Sequence, residues 1–268
     1  MRQTLARLGS AVALLAALAA PAQADTLRIS GSFDGGAAVF AIDNQIVNTC
    51  GAVAVGCQLP DLDPAVGTLT LAPTTVGTGG GLVVQGTVQT SDKATVPGSI
   101  NRLDSTGTQV TAVSGSHTYV VTISDTGFVG PVTQATTTGA GQWSHLGGGY
   151  GDTDILMQWF NDPANSQGAE DPLDTPGILI DSFAADPISL GGQNPVSFSH
   201  VGGPFSVSDP DLFSMTLSFS GTLDEGVRLT GRELTEIKPL AVVPNPSALL
   251  LLGAGLAGAG LITRRRRA

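Results

Sequence analysis

A chain of 268 residues with 22 acids against 12 bases carries a formal net charge of −10, which argues against nucleic acid and anionic lipid as partners. Charged residues are only 13% of it and Gly alone accounts for 36 positions, so helix formers are scarce and strand and turn formers common. Six of the 12 bases (Arg2, Arg7 and Arg264–Arg267) and none of the 22 acids lie in the terminal segments, which leaves the body between them at −16.

Residues 1–24 read as an export leader. Arg2 and Arg7 flank the start of an apolar stretch, Leu8–Ala20, broken only by Ser10, and Ala22-Gln23-Ala24 is a small-x-small cleavage site. Charge, apolar core and cut site in that order make a secretory signal peptide, with signal peptidase as partner and Asp25 as the expected first mature residue. The two arginines are not adjacent, so the signal is not of the twin-arginine type.

Residues 25–240 are expected to form one all-β domain. Thr26–Phe33 alternates, Leu27 and Ile29 against Thr26, Arg28 and Ser30; Asp34-Gly35-Gly36 turns the chain into a second strand, Ala37–Ile42. Asn44–Pro64 is irregular and holds both cysteines, Cys50 and Cys57. In an oxidising compartment a disulfide is the default for such a pair. A structural metal site would need about four N or S ligands, and no histidine lies within about fifty residues of the pair.

Gly67–Leu71 and Leu82–Val88 read as strands, and Thr90–Ser105 as polar and turn-like. His117–Ser124 alternates clearly. Ile155–Phe160 and Ile178–Phe183 are apolar runs of strand length, separated by the Pro- and Asp-rich segment Asn161–Pro176, expected as a surface loop. Phe213–Ser220 has the cleanest period of two, Phe213, Met215, Leu217 and Phe219 against Ser214, Thr216, Ser218 and Ser220, which predicts one buried and one wet face. Val227–Thr230 returns after a turn, and Glu233–Val242 is the exit segment. Ten to twelve short strands between Gly, Pro and Asp turns predict an antiparallel β-sandwich, jelly-roll-like, flanked by the signal peptide and a C-terminal hydrophobic helix.

Catalytic signatures are missing from the sequence. There is no Gly-x-Ser-x-Gly and no His-Glu-x-x-His, and His117, His145 and His200 each stand alone among loop-type residues. The chain is therefore not expected to be an enzyme, nor to hold a resident metal. Gln142–Asp162 draws attention for binding, because it gathers Trp143, Tyr150 and Trp159 with Asp152 and Asp154. Flat aromatics can stack on sugar rings and spaced carboxylates can hold Ca²⁺, so these three aromatics are the candidate glycan platform, the alternative being that they are core. Asp61/Asp63 and Asp209/Asp211 repeat the Asp-x-Asp spacing and have the same two readings, turn or Ca²⁺ site.

Residues 241–268 close the chain with Pro244, Asn245 and Pro246, the uncharged run Ala248–Ile262, and Arg264, Arg265, Arg266 and Arg267. Fifteen helical residues span ~22 Å, short of the ~30 Å hydrocarbon core, and the arginines form a cytoplasmic stop. This tail resembles the PEP-CTERM sorting signal: a Pro-Glu-Pro-like tripeptide, a short apolar helix and a terminal Arg cluster, with Asn245 where the family has Glu. The resemblance implies transient anchoring in the inner membrane of a Gram-negative bacterium, removal of the tail by an exosortase, and delivery to the cell surface or the exopolysaccharide matrix. A plain C-terminal membrane anchor would use the same residues.

Overall fold

The structure is a computed structural model that describes residues 27–85, 88–95 and 99–239. The leader 1–24 and the segment 241–268, with its expected helix, lie outside the described residues. Among the described residues no helix is long and apolar enough to cross a membrane.

Fourteen strands are described. β1 (Arg28–Phe33), β2 (Val39–Ile42), β3 (Thr68–Thr70), β4 (Thr74–Val76), β5 (Leu82–Gln85) and β6 (Val88–Asp92) are short. β7 (Asn101–Ala112), β8 (His117–Val129), β9 (Val132–His145), β10 (Ile155–Asp162), β11 (Ile178–Ala185), β12 (Val196–Asp209), β13 (Leu212–Leu223) and β14 (Val227–Lys238) are longer. They form two antiparallel sheets: a six-stranded one ordered β11-β10-β13-β8-β1-β2, and an eight-stranded one ordered β12-β9-β14-β7-β5-β4, with β6 beside β7 and β3 beside β6. The long strands pair as β8-β13-β10-β11 in the first sheet and β7-β14-β9-β12 in the second. That order is two Greek keys rolled together, the winding of a jelly roll.

The sandwich interior follows from period-two patterning. Met157 and Trp159 of β10, Leu217 and Phe219 of β13, and Tyr119 and Ile123 of β8 face Trp143 of β9, Val110 of β7 and Leu229 of β14, all buried. Each such side chain removed from water contributes roughly 1.5–3 kcal/mol.

Several expectations are corrected. Thr90–Ser105 is not turn-like throughout: its ends enter β6 and β7, whose pairing places Thr90 opposite Asp104. β14 runs unbroken from Val227 to Lys238 rather than stopping at Thr230. The polar face of β13 is not wet, for Ser214, Thr216 and Ser218 are buried. The segment 163–177 lies over that face: Gly168 N donates to Ser124 Oγ at 3.1 Å, Thr216 Oγ1 bonds Ser124 Oγ at 2.9 Å, and Thr122 Oγ1 donates to Pro172 O at 2.6 Å. A Cβ on Gly168 would sit 2.9 Å from both Ser124 Oγ and Thr216 Oγ1, so only glycine lets the backbone come this close. The alternation was right about polarity; a loop rather than water meets the hydroxyls.

One side of the sandwich is closed by the loop carrying the Cys50–Cys57 disulfide. Phe40 N donates to Cys57 O at 3.1 Å on the edge of the first sheet, and Ala54 N to Thr75 O at 2.9 Å on the edge of the second. The loop thus stitches β2 to β4. Beside it, His117 Nδ1 bonds Asp34 Oδ2 at 2.8 Å while Nε2 faces Ser114 O. Both ring nitrogens therefore meet acceptors. Burial pushes the His117 pKa down, but Asp34 and the Ser114 carbonyl outweigh it and the net shift is upward.

Glu233 lies on the inner face of β14, between Gly231 and Thr235. Both its oxygens are buried without a hydrogen-bond partner among the described residues. The neighbouring β7 is bulged there, the two residues between Ser105 and Thr108 opposing the one between Gly231 and Glu233, with Gly107 at φ 67°. Desolvation pushes the carboxyl well above its ordinary value of 4.5, which favours the neutral acid in the folded chain.

Two outcomes follow. Replacing Cys50 and Cys57 by Ser frees a short loop in the unfolded chain and should cost about 2 kcal/mol in urea unfolding. Amide protection should fall first at Phe40 and Ala54, and an even loss over all strands would show that the loop is not a stitch. For Glu233, folded and unfolded chains are both protonated below pH 4.5. Above that the unfolded chain ionises first, so stability falls by up to about 1.4 kcal/mol per pH unit until the folded pKa is reached. Glu233→Gln should match the native chain near pH 4 and exceed it near pH 7, as read by denaturation across that range.

Candidate functional site

β11 and β12 are the edge strands of their sheets on the side opposite the disulfide loop. Segment 186–195 joins them at one end, and at the other they part. Among the described residues, side chains bridge this seam. Asp181 on β11 accepts from Thr137 Oγ1 of β9 at 2.5 Å, from His200 Nε2 of β12 at 2.7 Å, and from Ser182 N at 2.9 Å. A Cβ on Gly202 would fall 2.0 Å from Asp181 Oδ2, so glycine makes room for the bridge. His200 is stacked between Phe183 at 4.8 Å and Trp159 at 5.5 Å.

The second bridge is Asn161 to Asp209. Asn161 Nδ2 donates to Asp209 Oδ1 at 3.1 Å and to Oδ2 at 2.9 Å, linking the end of β10 to the end of β12. Both side chains are buried. Burial pushes the Asp209 carboxyl up, the Asn161 amide pulls it back, and the Asp162 charge adds to the rise. The two bridges are seven residues apart along β9, where His200 pairs with Gly139 and Asp209 with Val132, a distance of ~23 Å. Toward the Asn161 end lies a groove of about 490 Å³ lined by Ile178, Leu179 and Ile180 on one wall and Phe205 and Val207 on the other.

The candidate glycan platform does not survive folding. Trp143 and Trp159 are fully buried and Tyr150 is 3% exposed. The two indoles are the ends of an inter-sheet aromatic chain, Trp143–Phe198 at 4.4 Å, Phe198–Phe183 at 6.1 Å, then His200 and Trp159. A sugar ring needs an open aromatic face, and these faces are covered by other rings. Tyr150 Oη lies 3.2 Å from Gln193 O and 3.3 Å from Trp143 O, which holds the 146–151 loop against segment 186–195.

In two of the Asp-x-Asp pairs a carboxylate, Asp61 or Asp154, serves the backbone, whereas Asp209 of the third holds the Asn161 side chain. Asp61 accepts from Asn44 N at 2.9 Å, Thr70 N at 2.9 Å and Asp63 N at 3.0 Å. Asp154 accepts from Thr222 N at 2.6 Å, and Asp152 N donates to Asp224 at 2.9 Å. Among the described residues no three His, Cys, Asp or Glu side chains gather as a metal site. The histidines differ from their reading as loop residues: His117 and His200 both lie in strands and both pair with an aspartate. Asp181 carried a signal in the sequence, an acid inside the apolar run Ile178–Phe183; Asp209 carried only its Asp-x-Asp spacing, and Asn161 none. A His–Asp pair can orient a base; among the described residues no hydroxyl or thiol is bonded to the other nitrogen of His200.

No family model matches the chain, and no curated protein does. Among solved structures, the C-terminal CBM6 of LamC, a marine laminarinase from Zobellia galactanivorans, aligns at 11% identity over 55% of this chain and 87% of its own, with a TM-score of 0.22. A carbohydrate-binding module of lichenase 5A from Cellvibrio mixtus, solved with cellotriose, gives 12% identity, 56% and 87% coverage and a TM-score of 0.22. The K1 cleaved adhesin domain of Lys-gingipain from Porphyromonas gingivalis gives 10%, 58% and 75%, and 0.27. At these values the likeness bears on neither ligand nor activity.

Asp181→Ala leaves the His200 and Thr137 donors unmatched in a part-buried place, with an expected cost of about 2 kcal/mol. Exchange should rise at β11 and the adjoining part of β12 before β8 or β13. Unchanged exchange at β11 would mean that the bridge does not hold the seam.

Proposed function

We propose that this chain is an exported structural protein of the cell surface or exopolysaccharide matrix, matured by signal peptidase and an exosortase-type system. One observation carries the reading. The last strand ends at Lys238, and the Pro244-Asn245-Pro246 motif begins six residues later. All fourteen described strands precede it, so loss of the tail removes none of their pairing. The oxidised Cys50–Cys57 pair supports an oxidising compartment. The strongly acidic body suits a hydrated matrix, and the role is structural rather than catalytic.

Intact-mass measurement on protein from native envelopes tests this. A chain starting at Asp25, lacking Arg264–Arg267 and holding one oxidised Cys pair is expected, with the tail retained in a strain without exosortase. Recovery of Met1–Ala268 from normal cells, or equal tail loss in both strains, overturns the reading.

A further inference from the structure

We infer that the groove between β11 and β12 is a binding site for an alkyl chain ending in a hydrogen-bond donor, with a primary ammonium preferred over a hydroxyl. This rests on the groove alone and not on the export reading.

The walls select the body of the ligand. Ile178 is 68% and Leu179 46% exposed although both are large and apolar, while Ile180, Phe205 and Val207 are packed only partly against the core. Ile178, Leu179, Ile180 and Val207 offer methyl contacts to a hydrocarbon stem, and the half-buried Phe205 ring adds apolar surface to the second wall. A volume of about 490 Å³ lies in the range of small-molecule sites.

The floor selects the head. Asn161 lines the groove and is 4% exposed. Its Nδ2 is committed to Asp209, an assignment that the carboxylate itself dictates because an amide oxygen there would face two acceptors. Its Oδ1 is buried and has no donor among the described residues. A buried acceptor without a donor is costly, and a ligand that supplies an N–H or O–H removes that cost. The Asp209 carboxyl directly behind Asn161 favours a cationic donor and disfavours an anionic head, which would meet oxygen on both groups.

Octylammonium, octanol and octanoate, added to the purified protein, separate these terms. Titration calorimetry should show octylammonium binding about tenfold tighter than octanol, since a charged donor makes the stronger bond, with octanoate weakest. Hydrogen-exchange mass spectrometry should show new protection in 178–185 and 196–209. Changing both exposed wall residues, Ile178→Ser with Leu179→Ser, should weaken octylammonium at least about tenfold while leaving the fold intact. Asn161→Leu, if it folds, should abolish the preference for ammonium over octanol. Equal binding of all three chains would show an unselective apolar surface. Protection in residues 44–66, where Ile46 and Val66 are also exposed, would place the chain elsewhere. Either result, or no binding, overturns the assignment.

Discussion

Two sheets packed face to face leave two long seams where edge strands meet solvent, and the closure of those seams governs the rest of this structure. Apolar inner faces drive the packing, but they cannot satisfy the unpaired backbone groups of an edge. At the β2/β4 seam the problem is solved with main chain: Cys57 O of the disulfide loop accepts from Phe40 N on one side, and Ala54 N of the loop donates to Thr75 O on the other. At the β11/β12 seam side chains tie the two sheets instead, Asp181 to His200 and Thr137 at one level and Asn161 to Asp209 at the other. The first solution covers the edges. The second ties the sheets and leaves the edges open.

That difference orders the molecule in stability. A main-chain stitch with a covalent cross-link has few local openings, whereas a seam held by two polar side-chain bridges opens at lower free energy. The bridges also explain why polar side chains interrupt otherwise apolar strands. Asp181 sits in an Ile-Leu-Ile run because it must reach β9 and β12, and Gly202 is bare because that carboxylate occupies the space of its side chain. Glu233 is the contrast: an acid on an inner face with nothing to bond, kept in place by the strand register and held neutral by burial.

Chain order matters for a protein that is read as crossing a membrane. β14 pairs with both β7 and β9, so the middle of the larger sheet is completed by the last strand. A chain stopped before Val227 lacks that strand, and one ending just after Lys238 has every described pairing. The place where the sorting motif begins is thus compatible with an intact sandwich. The short disulfide loop, at a sequence separation of 7, needs no distant partner to close, whereas the sheets depend on contacts far apart in sequence.

The all-β class, the main alternating strands, the neighbouring cysteines and the two end signals were legible because each is a local pattern, a matter of residues i and i+2 or of a short ordered motif. Polarity along Phe213–Ser220 was equally legible, but not what covers it, since the segment that meets Ser124 and Thr216 lies some fifty residues away in sequence. Trp143 and Trp159 looked like a platform because composition places them together; only the packing of β12 and β11 across the seam shows their faces to be covered by Phe198, Phe183 and His200. The same holds for Asp181, Asn161 and Asp209. Their partners belong to other sheets, and which side chains meet across a seam is set by sheet order, register and bulges, none of which is written in the spacing of neighbouring residues.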